Sequence, residues 1–297
     1  MTAYTTRSMV LPLVRALRPT QWVKNVFVLA PLVFAERLDD PSLLLRALLA
    51  FGAFCAAASA VYLINDLRDR EEDRLHPLKQ HRPIASGALP VSTATAAAVV
   101  LALAAAAVSF VLSWQFAAVL VLYLAINIAY SSGLKHFVIL DVMAVSSGYV
   151  LRVIAGGLAV GVAVSPWLLL CTIFLALFLI FSKRRYELVL LADDAAGHRA
   201  VLSHYSETFL DQMINVVTAS TVVSYALYTV DDDTVERFGG EALVYTVPLV
   251  LFGIFRYLYL TYQRHDPRNP TEAILTDVPS VVNVVLWGVV VLWIVYG

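Results

Sequence analysis

Apolar residues fall in long blocks separated by short polar connectors. The blocks lie near residues 22–38, 42–64, 90–113, 115–131, 137–160, 165–182, 211–230, 243–260 and 278–296. A helix needs roughly 17–25 apolar residues to cross a bilayer core of about 30 Å. The pattern therefore predicts an all-α, polytopic membrane bundle of about nine transmembrane helices. In the first block only Val26 to Ala35 is unbroken, and Pro31 interrupts it. The chain has no internal repeat, no low-complexity tract and no polar linker long enough to set off a soluble domain. Residues 1–297 are expected to form a single integral-membrane domain.

Composition agrees with this pattern. Hydrophobic residues make up 60% of the chain and charged residues 14%, against roughly 45–50% and about 25% in soluble domains. So few charges cannot solvate a globular surface. The net charge of −1 says little, because the two signs are segregated along the chain. With nine spans, segments 1–24, 66–89, 131–136, 183–210 and 261–277 share one side and hold 16 of the 21 Lys and Arg. Positive-inside bias then predicts a cytoplasmic N-terminus and an external C-terminus. Eight or ten spans would scatter the basic residues over both faces. The first twenty residues are basic and broken by Pro12 and Pro19, with no cleavable apolar region, so the first span is expected to direct insertion. Cys55 and Cys171 sit in apolar runs and imply neither a disulfide framework nor a metal site.

The densest polar chemistry follows the second block, where Asn65, Asp66, Asp69 and Asp73 extend it toward the cytoplasm. At i, i+3 and i+7 the three Asp share one helical face, where they repel unless a cation neutralises them. Mg²⁺ takes oxygen ligands and keeps waters and substrate phosphates, so a few carboxylates suffice. The spacing points to a Mg²⁺–diphosphate site at the membrane surface. A solvated helix end is the other reading, with Arg68, Arg70 and Arg74 pairing locally with the acids. His76, Lys79, His81 and Arg82 come next. They are placed either to hold oxygens that the metal leaves free or simply to anchor the helix at the interface.

Charges inside apolar spans are costly and mark functional sites by default. Asp141 lies about four residues into the fifth block. Arg152 is eleven residues further on, roughly 16 Å deeper on a helix and close to the same face. It is expected to meet a polar cavity or an internal partner. Gly148, Gly156 and Gly157 read as close-packing positions, and Trp22, Trp114 and Trp167 as interfacial anchors. The stretch Tyr262 to Asp277 reads as a solvated connector.

Taken together, these segments resemble the UbiA prenyltransferase superfamily, and within it the decaprenyl-phosphate phosphoribosyltransferase branch. The likeness rests on Arg18-Pro-x-Gln21-Trp22-x-Lys24-Asn25, Asn65-Asp66-x-x-Asp69-x-x-x-Asp73 and His76-Pro-x-Lys79-x-x-Arg82-Pro83. It continues through Tyr130 to Lys135 and Ser182-Lys183-Arg184. The resemblance implies nine helices around a cavity open to the cytoplasm, in the plasma membrane, with Mg²⁺ as cofactor. It implies transfer of phosphoribosyl from phosphoribosyl diphosphate to decaprenyl phosphate, giving a cell-wall arabinan precursor and diphosphate. It further assigns Asp66, Asp69 and Asp73 as catalytic metal ligands, with Asn65 as a neighbouring one. Lys24, Lys79, Arg82 and Lys135 are candidate clamps for the donor phosphates, Lys183 and Arg184 for the lipid phosphate. Gln21, Asn25, Tyr130, Asp141, Arg152, Tyr186 and Glu187 complete the candidate substrate-binding set.

The chain departs from the superfamily after the sixth block. A second aspartate-rich motif is replaced there by Ser182-Lys183-Arg184-Arg185-Tyr186-Glu187, and Asp193 and Asp194 come too late for the expected spacing. Lys and Arg hold a phosphate directly, without a second metal. The substitution favours one metal–diphosphate facing a lipid monophosphate in a single cytoplasmic site, within a chain that can also form homo-oligomers. Two alternatives remain: a prenyltransferase acting on an aromatic or quinone acceptor, and a lipid-phosphate transporter. A transporter is expected to carry paired midplane charges on interrupted helices, whereas the polar residues here cluster on one side.

Overall fold

The computed structural model describes residues 9–76, 79–190, 200–263 and 274–297, and among them there is no β-strand. A short amphipathic helix, α1 (Val10–Leu17), leads into a 3-10 helix (Pro19–Val28) and α2 (Ala30–Phe34). The long helices begin with α3 (Pro41–Arg68), which the short α4 (Arg70–Leu75) extends. They continue with α5 (Val91–Leu112), α6 (Trp114–Ser132), α7 (Leu140–Val160), α8 (Pro166–Leu190) and α9 (Glu207–Val230). After the short α10 (Asp232–Arg237) come α11 (Val247–Tyr262), entered through a 3-10 turn at Ala242–Thr246, and α12 (Val278–Tyr296).

Eight of these segments are long and apolar enough to cross a membrane. They match the second to ninth sequence blocks. The first block differs, because it divides between the 3-10 helix and the five-residue α2. Pro31, inside the block, lacks the N–H that a continuing α-helix needs, so the block never becomes one rod. Elsewhere proline opens helices, at Pro41 and Pro166, where the missing donor costs nothing. The Asp40, Ser206 and Asp277 side chains cap α3, α9 and α12 by accepting first-turn N–H bonds. Many large apolar side chains face outward, Phe110 and Trp293 at 73% and 74% exposure. That surface is what a bilayer covers. The chain is a multi-pass membrane protein.

The chain forms two compact units. One comprises the residues to Ser132 with Leu151–Ala163; the other comprises Gly133–Val150 with Val164–Gly297. In the first, α3 packs along α5 through small side chains, with Ala50, Ala53 and Ala57 facing inward from α3 and Ala94, Ala98 and Ala105 from α5. Small residues let helix backbones approach closely where lipid removes the usual hydrophobic drive. Phe54 fills the remaining space, edge-on to Phe116 and Tyr123. Gly156 is a close-packing position, as its sequence context implied: a Cβ there would lie 2.0 Å from the Val28 carbonyl oxygen.

In the second unit α8 packs on α9, and α11 on α12. Asn283 Nδ2 donates to the Leu249 carbonyl at 2.9 Å, and Trp287 Nε1 to the Tyr225 hydroxyl at 3.0 Å. Arg256 grips Asp277 through two bonds, 2.9 Å from Nε and 2.7 Å from Nη2.

Candidate functional site

The acidic motif occupies the end of α3 and the start of α4. Backbone bonds run from Asp69 N to Asn65 O and from Asp73 N to Asp69 O, so the helix nearly continues. Asp69 itself leaves helical geometry, at φ −88° and ψ 8°. Asp66 and Asp73 turn the same way and are almost fully buried, at 3% and 2% exposure. Asp69 and Asn65 are half-buried. Two members of the expected stripe are thus gathered, and the third sits at the break in the helix.

The cations that meet these acids are not the local ones. Arg74 pairs with Glu71 and donates to the Ala85 carbonyl, and Arg70 lies beside Glu71. Instead Arg82 Nη1 donates to Asp66 Oδ1 at 3.1 Å and to Asp73 Oδ2 at 2.7 Å. Arg18 Nη2 donates to the same Asp66 oxygen at 2.6 Å, with its guanidinium 4.7 Å from the Tyr62 ring centre. Arg18 holds a left-handed backbone, φ 54°, where α1 ends. Arg82 is held by a turn that Ser86 N–H closes onto the Arg82 carbonyl, and the Arg74 bond to Ala85 ties that turn to α4. The reading of solvated acids paired with Arg68, Arg70 and Arg74 is therefore corrected, since the partners come from 48 and 16 residues away.

No group of three or more His, Cys, Asp or Glu is arranged to hold a metal among the described residues. The donor chemistry of the pair nevertheless fits a hard cation. Two buried carboxylates aim oxygens at one positively charged nitrogen, and Mg²⁺ asks for few protein ligands when waters and phosphates complete its shell. Half-buried Lys79 follows on a short 3-10 turn, while its neighbour Pro77 lies outside the described residues. Gln21 and Lys24 are half-buried on the 3-10 helix Pro19–Val28.

Asn25, on that same 3-10 helix, has no exposure, and its amide is taken up inside the unit. Its Nδ2 donates to Cys55 Sγ at 3.1 Å, and its Oδ1 accepts from Arg152 Nε at 2.7 Å. Arg152 Nη2 also donates to the Tyr123 hydroxyl at 3.1 Å, and the guanidinium lies over the Phe54 and Tyr123 rings. Arg152 therefore has the internal partner its depth implied. Asn25 and Arg152 tie the 3-10 helix to α3, α6 and α7. Trp22 Nε1 donates to Ser59 Oγ at 3.0 Å.

The second unit holds another buried charge cluster. Arg184 Nε donates to Asp141 Oδ2 at 2.6 Å and Nη1 to Glu187 at 2.8 Å, with the Arg and Asp side chains 2% and 0% exposed. The Tyr205 hydroxyl donates to Asp141 Oδ1 and accepts from the Ile139 N–H, both at 2.7 Å. Burial, then the bond to Asp141, push the Tyr205 hydroxyl up to about 12. Ile139 has φ 68°, an uncommon conformation for a β-branched residue. Asp141 and Arg184 thus bind one another, and both side chains are buried. Lys183 is more open, at 34% side-chain exposure and 3.8 Å from Glu187. Tyr186, Tyr130 and Lys135 are half-buried, the last on the turn Leu134–His136.

Arg18 and Tyr205 did not stand out as site residues in the sequence. Arg18 lay within a recognised segment, but nothing in its spacing linked it to Asp66; Tyr205 carried no signal. Asp193, Asp194, Arg264, Asp266 and Glu272 lie outside the described residues.

Comparison with known proteins gives a consistent picture. The UbiA prenyltransferase family model matches residues 25–276. The decaprenyl-phosphate phosphoribosyltransferase of Corynebacterium glutamicum is 37% identical over 289 residues, 96% of this chain and 86% of that protein. Its namesake from Mycobacterium tuberculosis H37Rv is 40% identical over 256 residues, 84% of this chain and 83% of the relative. The structure of a UbiA homolog from Archaeoglobus fulgidus superposes with a TM-score of 0.71 at 18% identity, covering 96% of this chain and all of that one. With the same fold, the acidic motif at the end of α3 and relatives this similar along most of its length, the chain belongs to the UbiA prenyltransferase family.

Proposed function

We propose that this protein transfers a 5-phosphoribosyl group from phosphoribosyl diphosphate to a polyprenyl phosphate such as decaprenyl phosphate. The carrying observation is the likeness, at 37–40% identity over most of both chains, to proteins named decaprenyl-phosphate phosphoribosyltransferase. The bond from ribose C1 to the diphosphate oxygen breaks, a lipid phosphate oxygen bonds to C1, and diphosphate leaves. The product lipid serves cell-wall arabinan synthesis.

Asp66 and Asp73 hold a divalent cation, with Asp69 and Asn65 as neighbouring ligands. A bound Mg²⁺ supplies charge neutralisation for the leaving diphosphate. A UbiA homolog from A. fulgidus has been solved with DMAPP and Mg²⁺, which supports this choice of metal. Lys24, Lys79 and Arg82 bind donor phosphates, with Gln21 on the helix that carries Lys24; Lys135, near Tyr130 in the sequence, is a further phosphate-binding candidate. Lys183 meets the lipid phosphate, while Arg184, Asp141 and Glu187 brace the helix that carries it and Tyr186. Asn25 and Arg152 fix the 3-10 helix bearing Lys24. No strong general base is required, because the acceptor phosphate is already an anion near neutral pH. The polar connectors face the cytoplasm at the plasma membrane, and the whole chain acts as one catalytic domain.

Purified protein in nanodiscs, given labelled phosphoribosyl diphosphate and polyprenyl phosphates, should produce labelled lipid and free diphosphate. Turnover of a prenyl diphosphate with an aromatic acceptor, and none of the sugar donor, would overturn the proposal.

A further inference from the structure

Arg82 stands where a cation between Asp66 and Asp73 belongs. One nitrogen, Nη1, bonds to both carboxylates, at 3.1 Å and 2.7 Å. The acids are sealed, at 4% and 3% side-chain exposure, yet the arginine keeps 30%. It therefore has a way out that its acceptors lack. Arg18 differs, because it touches only Asp66 of the pair and its guanidinium is backed by Tyr62.

A divalent ion and a guanidinium cannot share this position without strong repulsion at a separation of about 3–4 Å. A bare ion entering alone must expel Arg82 from two charge-assisted hydrogen bonds and leave it without acceptors of equal strength. An ion arriving with a diphosphate brings those acceptors, since guanidinium binds phosphate oxygens as well as it binds carboxylates.

We infer that Arg82 is a built-in stand-in for the metal: it holds Asp66 and Asp73 together before the donor arrives and exchanges onto the donor diphosphate as the ion enters. Divalent-ion binding is thereby coupled to donor binding, and the donor enters as its metal complex. The inference rests on the proposed function in that this position takes a metal–diphosphate.

The test uses full-length protein in nanodiscs with Mn²⁺ as probe, measuring by equilibrium dialysis the Mn²⁺ retained with the nanodiscs against the free ion, with Mn²⁺–diphosphate formed in solution subtracted from a protein-free control. Wild type should bind Mn²⁺ about tenfold more tightly when inorganic diphosphate is present, inside the 5–150-fold range usual for coupled sites. Arg82→Gln should bind Mn²⁺ without diphosphate about tenfold more tightly than wild type, and diphosphate should then add less. Thermal unfolding gives a second reading: Mn²⁺ alone should stabilise Arg82→Gln and leave wild type unchanged. Should the Gln variant not fold, Arg82→Lys keeps a charge but loses the fork, and its affinity for bare Mn²⁺ should be intermediate. Equal wild-type affinity with and without diphosphate overturns the inference, as does unchanged or weaker binding of bare Mn²⁺ by Arg82→Gln. If no variant binds Mn²⁺ even with diphosphate, the proposed cation site itself falls.

Discussion

Each compact unit contains a cluster in which arginine meets buried aspartate, and the two clusters differ in who can leave. At the end of α3, Asp66 and Asp73 are sealed while Arg82 and Arg18 keep 30% of their side chains exposed. At the Asp141 cluster the arginine is sealed as well: Arg184 is 2% exposed, its aspartate 0%, and Tyr205 and Ile139 close the remaining bonds. The residue types are the same, but the exposure of the guanidinium separates an exchangeable site from a structural lock. Buried ion pairs add little net stability over apolar packing, yet breaking one strands a charge. Accordingly the first cluster suits ligand exchange and the second suits rigidity.

The largest effect is expected where the lock is broken. Arg184→Ala leaves Asp141 buried without its cation, which costs about 3–5 kcal/mol, and should sharply lower the unfolding temperature in detergent. Arg184→Lys should rescue little, because an ammonium cannot reproduce the bonds from Nε and Nη1. Arg82→Ala should destabilise less, since Arg18 still contacts Asp66. A well-folded Arg184→Ala protein with a raised KM for lipid phosphate alone would erase the contrast and make Arg184 a ligand clamp.

Next in size is Asp66→Ala. Losing about 3–4 kcal/mol of leaving-group stabilisation lowers turnover by about 10²–10³, with the fold retained. Chelator should abolish wild-type activity and Mg²⁺ restore it; an Asp66→Ala enzyme fully active in chelator would refute the exchangeable site. A third, smaller effect concerns the packing behind the first cluster. Gly156→Ala forces α7 off Val28 and should cost about 1–3 kcal/mol by overpacking. Gly52→Ala is the control, because a Cβ there meets nothing within 4 Å and the helix gains propensity. Equal unfolding temperatures for the two variants would show that the close approach is not needed.

The smallest effect is a pH dependence at a third pair. Asp277 lies well below the usual carboxylate range, because Arg256 and the Ser280 hydroxyl and N–H all bond its charged form. A depressed carboxylate adds stability above its unfolded value, near pH 3.9, and loses it as pH falls below that. Asp277→Asn should therefore lower the unfolding temperature at pH 7, with the gap to wild type closing as pH falls from about 5 toward 3. A gap constant over that range would deny the ionised pair its role.

Much of this was legible in the linear pattern, for reasons particular residues make plain. Eight of the nine blocks became helices near the expected bounds, because length and apolarity are local properties that a bilayer selects directly. The first block did not, because Pro31 outweighed its hydrophobicity. Asp66 and Asp73 were foreseeable as a pair from their seven-residue spacing, and the family from the segments around them. The partners were not foreseeable. Arg82 stood among the cations placed to hold oxygens and Arg18 within a matched segment, but both reach Asp66 by way of turns that the pattern does not encode.

The sequence alone determined a membrane-spanning, all-α family member with an acidic motif at the end of its second apolar block, since those features follow from side-chain type and helical period. Only the tertiary structure decided which charges are sealed and which can move. Asp141 and Arg152, eleven residues apart on one helix, were matched by sequence and separated by packing: one met Arg184 and Tyr205, the other Asn25 and Tyr123. The physical reason is that the worth of a buried charge depends on the group opposite it and on whether solvent can reach either one. Both are set by residues far away in the chain.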